Sequence, residues 1–270
     1  MNKKKIIILI SILITLAFSA CTDVTEKGKE VNTVTDEEQE SSAPAEDFAV
    51  TTETTPEPTP ESMPPISELT DDYVINWKDS NLEARMREAT GIYDRDIVYN
   101  DVKNITELNL ESYDAHKYDD PDKIVNISVL QYLVNLEILH LGDNQISDIS
   151  ALSNLTNLKI LDLSHNPITD ISALSNLINL EKLQLGSLSE VSDISALANL
   201  TNVVELNLSN NQISDISALS DMTNLKYLYL YNNQISDISA LSNLTSLEFI
   251  SLMNNPITDY SPVSHVPNVD

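Results

Sequence analysis

Glycine is nearly missing from this chain of 270 residues: Gly28, Gly91, Gly142 and Gly186 are the whole supply. Glycines so far apart cannot build a phosphate-cradling loop, which excludes P-loop and dinucleotide-binding folds. Cysteine occurs once, at Cys21, so internal disulfides and cysteine-based zinc sites are excluded together. Positive charge is also scarce. Lys and Arg number 15 against 42 Asp and Glu, a formal net charge of -27, and a surface that negative repels nucleic acid. Aromatic residues are only 5% of the chain, so any clustering of them carries information.

Long apolar runs are confined to the beginning. Lys3, Lys4 and Lys5 precede an apolar stretch from Ile6 to Phe18, followed by Ser19, Ala20 and Cys21. The stretch is shorter than the roughly 20 residues a membrane-spanning helix needs, and it suits the core of an export signal. Phe18-Ser19-Ala20-Cys21 resembles the bacterial lipobox, although Leu is commoner than Phe at the first of these positions. The resemblance implies a signal peptide over 1–20 and a diacylated Cys21 as the first mature residue. Two acyl chains suffice for stable anchoring, which points to the extracytoplasmic face of a cell membrane, that of a Gram-positive bacterium. An ordinary secretory signal is the alternative.

Residues 21–72 change character. Between 22 and 72 there are fifteen Asp or Glu against Lys27 and Lys29, with a Thr, Pro and Glu cluster from Thr51 to Pro65. So little apolar surface cannot offset the entropy of ordering, and the expectation is a disordered, extended tether.

The remainder is periodic. Leu130, Leu152, Leu174, Leu197, Leu219 and Leu241 open six units at spacings of 22, 22, 23, 22 and 22 residues. Within each unit the pattern L-x-x-L-x-x-L-x-L-x-x-N-x-I-x-D-I-S-A recurs, and Asn144, Asn166, Asn211, Asn233 and Asn255 hold its Asn place. The L-x-L step alternates like a strand, and successive strands are expected to stack in a parallel sheet. The Asn amide has both donor and acceptor groups for turn backbone facing inward. The Asp-Ile-Ser-Ala segment suits a short 3₁₀ turn. The unit from Leu174 is one residue too long and lacks the Asn, which predicts a bulge and a break in the Asn row.

This pattern looks like the leucine-rich repeat in the 22-residue form of the bacterial internalins. The resemblance implies an α/β solenoid with a parallel concave sheet, short 3₁₀ turns on the convex side and an N-terminal α-helical cap. Residues 73–129 are read as that cap plus an irregular first coil, and 130–270 as the repeats. Ser80 and Glu83 suggest a capping box, with Leu82, Met86 and Ala89 on one helical face. Ile97, Val102, Leu108, Leu110, Ile124 and Ile127 belong to the first coil, interrupted by an insertion around Ser112 to Asp122.

Chemistry is sparse. His116, His140, His165 and His265 show no metal spacing, and no nucleophile has a basic partner, so no enzyme, metal or cofactor is expected. Asp148, Asp170, Asp193, Asp215, Asp237 and Asp259 form a row whose turn-capping role is weighed against calcium binding. The outward strand positions are more informative. They include His140, Asp162, Gln184 and Asn207, and then Tyr227, Tyr229, Tyr231, Phe249 and Met253, a large-residue patch of the kind that marks binding sites. The expectation is a membrane-anchored, monomeric module that binds a protein or peptide on its concave face. An internalin-like host-cell adhesin, a structural envelope protein and a non-catalytic accessory to an enzyme are the alternatives, and folding of the C-terminus over the aromatic patch is the competing account of that patch.

Overall fold

The computed structural model describes residues 63–112 and 121–270. Cys21, the expected export signal, the acidic segment through residue 62, and residues 113–120 with His116 lie outside the described residues.

Eight parallel strands form one sheet in strict chain order: β1 (Glu107–Asn109), β2 (Ile138–His140), β3 (Ile160–Asp162), β4 (Lys182–Gln184), β5 (Glu205–Asn207), β6 (Tyr227–Tyr229), β7 (Phe249–Ser251) and β8 (Asn268–Val269). The register places the middle residue of each strand beside that of the next, as in Leu161↔Leu183 and Leu206↔Leu228. From β1 to β7 every such residue is buried, and the core behind the sheet is a stack of Leu and Ile side chains, one set per coil. No coil can bury its stripe alone, so stability comes from the interfaces between coils.

Short 3₁₀ turns close the coils on the far side, among them Ser150–Leu152, Ser172–Leu174, Ser195–Leu197, Ser217–Leu219 and Ser239–Leu241. Each starts because an Asp carboxylate two residues earlier accepts from the Ser backbone N–H, at 2.8 Å for Asp148, Asp170, Asp193, Asp215 and Asp237 alike. Asp259 does the same for Ser261.

The interior Asn row works by side chain to backbone bonds across coil boundaries. Asn166 Nδ2 donates to Leu141 O and Leu163 O, while its Oδ1 accepts from Ile146 N. Asn144, Asn233 and Asn255 repeat the arrangement on Ile124, Ile213 and Ile235. In the long coil, buried Leu188 stands in the Asn place. The additional residue, Ser189, takes a left-handed φ of 71°. The break has a cost on its far side: Asn211 Oδ1 is buried without a hydrogen-bond partner.

At the N-terminal end, α1 (Ser80–Thr90) buries Leu82 and Met86 against the first coil. Its cap is Asp79, one residue before the expected Ser80. Asp79 Oδ1 accepts from Asn81 N and Leu82 N, and Oδ2 accepts from Val125 N and Asn126 N. One carboxylate thus caps the helix and ties it to the solenoid. Glu83, expected in a capping box, pairs with Arg87 instead. Gly91 ends the helix at φ 71°, the conformation that favours glycine. A one-turn α2 (Tyr99–Val102) follows, and Val74 bridges Val98 in antiparallel fashion.

Residues 63–72, expected as the end of the tether, are folded against this cap. Met63, Ile66 and Leu69 touch the core, Tyr132 donates to Pro64 O at 3.2 Å, and Asp71 pairs with Lys103. The Tyr132 ring, 1% exposed, meets Tyr73 edge-on at 6.0 Å. Apolar side chains three residues apart give this stretch a docking face that its proline and acid content conceals.

Candidate functional site

In-register stacking converts a sequence offset of 22 residues into adjacency on the sheet. Tyr227 stands beside Phe249, and Tyr229 lies against the Phe249 ring at 5.3 Å between centroids, tilted by 45°. Tyr231 and Met253 occupy the next outward positions of the same two coils, and Met253 is 52% exposed. Of the patch read from the sequence, Tyr227, Tyr229 and Phe249 are thus neighbours on β6 and β7. The C-terminal residues do not fold over it. They add β8 to the edge of the sheet through Asn268 and Val269, and Asp270 continues the pairing with Ile250 and Leu252. This extension buries Ser251 to 3% and leaves Phe249 half-buried.

The surroundings of the patch are polar and ordered. Tyr227 donates its hydroxyl to Glu248 at 3.2 Å, and Glu248 pairs with Lys226 at 2.8 Å. On β4 and β5, Glu205 accepts from both Lys182 and Gln184. Burial, followed by the negative charge of Glu205, raises the Tyr229 hydroxyl above its usual pKa.

Asp162 and Asn207 are less available than expected. Asp162 Oδ1 accepts from Ser164 N and Oγ at 2.9 and 2.7 Å, and Asn207 Oδ1 does the same for Ser209 at 3.0 and 2.6 Å. Both are turn caps that lie over small residues of the preceding coil. A Cβ at Gly186 would come within 2.9 Å of Asn207 Nδ2, and one at Gly142 within 3.6 Å of Asp162 Oδ1. His140 pairs in register with Asp162, and both positions are half-buried. Nearby, Glu111 is raised by burial and then by Asp162 and Asp143, with His140 and His165 opposing.

Sequence reasoning misses one row of rim residues. Asp143, His165, Ser187, Asn210, Asn232 and Asn254 all have positive φ between 55° and 58°. The last three form an exposed amide ladder, Asn254 Nδ2 to Asn232 Oδ1 at 2.5 Å and Asn232 Nδ2 to Asn210 Oδ1 at 2.6 Å. It runs beside Tyr231, whose hydroxyl lies 3.5 Å from Asn210 Nδ2. The available signal is the doublet Asn-Asn at 210–211, 232–233 and 254–255, whose first member the repeat pattern leaves without a role.

Among the described residues, no three His, Cys, Asp or Glu side chains are grouped as metal ligands. The convex Asp row is engaged in turn capping, and those hydrogen bonds hold Asp148, Asp170, Asp193, Asp215, Asp237 and Asp259 below the usual carboxylate pKa.

The family described as Leucine Rich repeats (2 copies) matches residues 134–176, 156–199, 178–221 and 223–265. Among solved structures, an internalin (inlF) of Listeria monocytogenes is 37% identical with a TM-score of 0.66, over 78% of this chain and 59% of that one. The present chain thus spans less than two thirds of that relative. Internalin C2 (inlC2) of the same species is 31% identical with a TM-score of 0.61, over 71% of this chain and 91% of that one. Among curated protein sequences nothing matches.

Proposed function

The chain belongs to the internalin family of leucine-rich repeat proteins, and from that premise we propose that it is a recognition protein whose concave face captures a protein or peptide. The observation that carries this reading is the aromatic surface of Tyr227, Tyr229 and Phe249, with Tyr231 and Met253 alongside. Tyr227 is 37% exposed and Met253 52%, in a chain that has few aromatic residues to place. Tyrosine is enriched among residues that dominate binding energy, because it buries a rigid ring and keeps a polar tip. The role is non-catalytic: aromatic rings and amides offer contact and hydrogen bonding.

In the same proposal, Cys21 carries the lipid that holds the protein on the outer face of a bacterial cell membrane. Mass spectrometry of the mature protein from cells should find an N-terminus at Cys21 bearing diacylglycerol, and a soluble product starting elsewhere would remove the anchor.

Photocross-linking on living cells tests the binding face. With p-benzoylphenylalanine in place of Tyr229, discrete adducts are expected. The same probe at Thr223, exposed and away from the strands, should give none. Equal patterns from both positions, or none from either, would refute the concave-face reading.

A further inference from the structure

The concave face is chemically directional. Its aromatic end lies on β6 and β7. At the other end, across the coils of β1 to β3, three acids gather around Gly142: a Cβ there would stand 3.6 Å from Asp162 Oδ1 and 3.7 Å from Glu111 Cγ, and Asp143 is the next residue in the chain. After burial, Asp162 and Asp143 both raise the Glu111 pKa. His140, in register with Asp162, and His165 act on the Glu111 pKa in the opposite sense. Arg85 reaches this coil through the backbone carbonyl of Glu111, at 2.9 Å. None of the ion pairs seen between described residues takes in Glu111, Asp143 or Asp162. Between the two ends, Lys182 and Glu205 neutralise each other at 2.8 Å. The face therefore offers an apolar anchor, a charge-balanced middle and a negative end.

Resting on the concave-face reading above, we propose that the partner is an extended protein segment lying across the strands. A Lys or Arg of that segment sits over Glu111, Asp143 and Asp162, and an aromatic or branched apolar side chain sits on Tyr229 and Phe249. Charge complementarity selects the basic end, because a cation there relieves the mutual repulsion of the acids and an anion there adds to it. The distance sets the spacing. From the β2 coil, at the centre of the acids, to β6 there are four strand intervals, about 19 Å at about 4.8 Å each. An extended chain covers that in roughly six residues, at about 3.3 Å per residue.

Panning a phage library of random dodecapeptides on the full chain tests this directly, with enriched peptides resynthesised and measured by fluorescence anisotropy. Enrichment of peptides with Lys or Arg about six residues from Phe, Tyr, Trp, Leu or Ile supports the proposal. Their affinity should fall threefold or more in the triple variant Glu111→Gln, Asp143→Asn, Asp162→Asn, which keeps side-chain shapes and the Ser164 cap. It should fall tenfold or more in Tyr229→Ala with Phe249→Ala. Peptides that need Tyr229 and Phe249 but are acidic, or that ignore the triple variant, overturn the basic-segment proposal and leave the concave-face reading standing. No enrichment, or enrichment indifferent to both variants, overturns both. Circular dichroism of each variant, unchanged from the parent, confirms that the solenoid is intact.

Discussion

Replacing Asn233 by Ala should destabilise the solenoid by about 3–5 kcal/mol, and the same change at Asn211 should cost about 1–3 kcal/mol less. The difference follows from the break in the interior row. Asn233 Oδ1 accepts from Ile213 N at 3.0 Å, and its amide donates to Leu208 O and Leu230 O. Ile213 is fully buried, so removing the acceptor strands an N–H at a cost of about 1–3 kcal/mol, and each carbonyl losing its donor adds about 1 kcal/mol. Asn211 makes the matching donations to Leu185 O and Leu208 O, at 2.9 and 3.0 Å. Its Oδ1 has no partner, because Ser189 lengthens the preceding coil and displaces the backbone N–H that would reach it. Truncating Asn211 therefore loses donors only, and it also removes a buried acceptor that was never satisfied. Urea unfolding followed by circular dichroism measures both, as shifts in midpoint at constant slope. A loss at Asn211 equal to or larger than that at Asn233 would refute the account of the break.

Two further outcomes are expected at the cap and on the sheet face. Asp79→Ala removes a helix cap and two bonds to Val125 and Asn126, which should cost about 2–4 kcal/mol; urea midpoints unchanged within error would contradict the clasp. Burial works against the Asp79 charge, but the four backbone donors outweigh it and hold its pKa below the ordinary carboxylate value. Its contribution is therefore fully present above about pH 4 and is lost as pH falls through the lowered folded value; unfolding titrations from pH 7 to pH 2 should show wild-type stability dropping at the acid end more steeply than that of the variant. Gly186→Ala brings a methyl within 2.9 Å of Asn207 Nδ2 and should cost about 1–2 kcal/mol by displacing the Ser209 cap. In an Asn207→Ala background that cost should vanish, and a double-mutant cycle showing simple additivity would rule out the contact.

The repeat was legible because every coil meets the same surroundings, so the apolar positions, the Asn row and the Asp turns each recur often enough to be read from one chain. The aromatic face was legible for the same reason: stacking in register at a fixed period makes neighbours of Tyr227 and Phe249. Features that depend on contacts outside the period were not. Ser80 has the local look of an N-cap, but Asp79 takes the role because its second oxygen meets Val125 and Asn126, more than forty residues away. Residues 63–72 read as tether by composition, and only the surface beside Tyr132 gives Met63, Ile66 and Leu69 something to cover. The left-handed row was hidden because Asp143, His165 and Ser187 fill positions where glycine is the usual signal.

The scarcity of glycine acquires a meaning on the sheet face. Gly142 and Gly186 sit in alternate coils, and the polar side chain of the following coil, Asp162 or Asn207, lies over each. Those side chains are held down by Ser164 and Ser209, so the middle of the face is low, polar and pre-ordered. The large rings of the face are Tyr227, Tyr229 and Phe249. A partner crossing the strands therefore meets its aromatic surface at β6 and β7, and the strongest apolar contacts on binding are expected there. The acids near β1 to β3 act at longer range, where charge governs the rate of encounter and the choice of partner more than the lifetime of the complex. On this division of labour, added salt should slow association across the whole face, while truncation of Tyr229 and Phe249 should shorten the lifetime of the complex at any salt concentration.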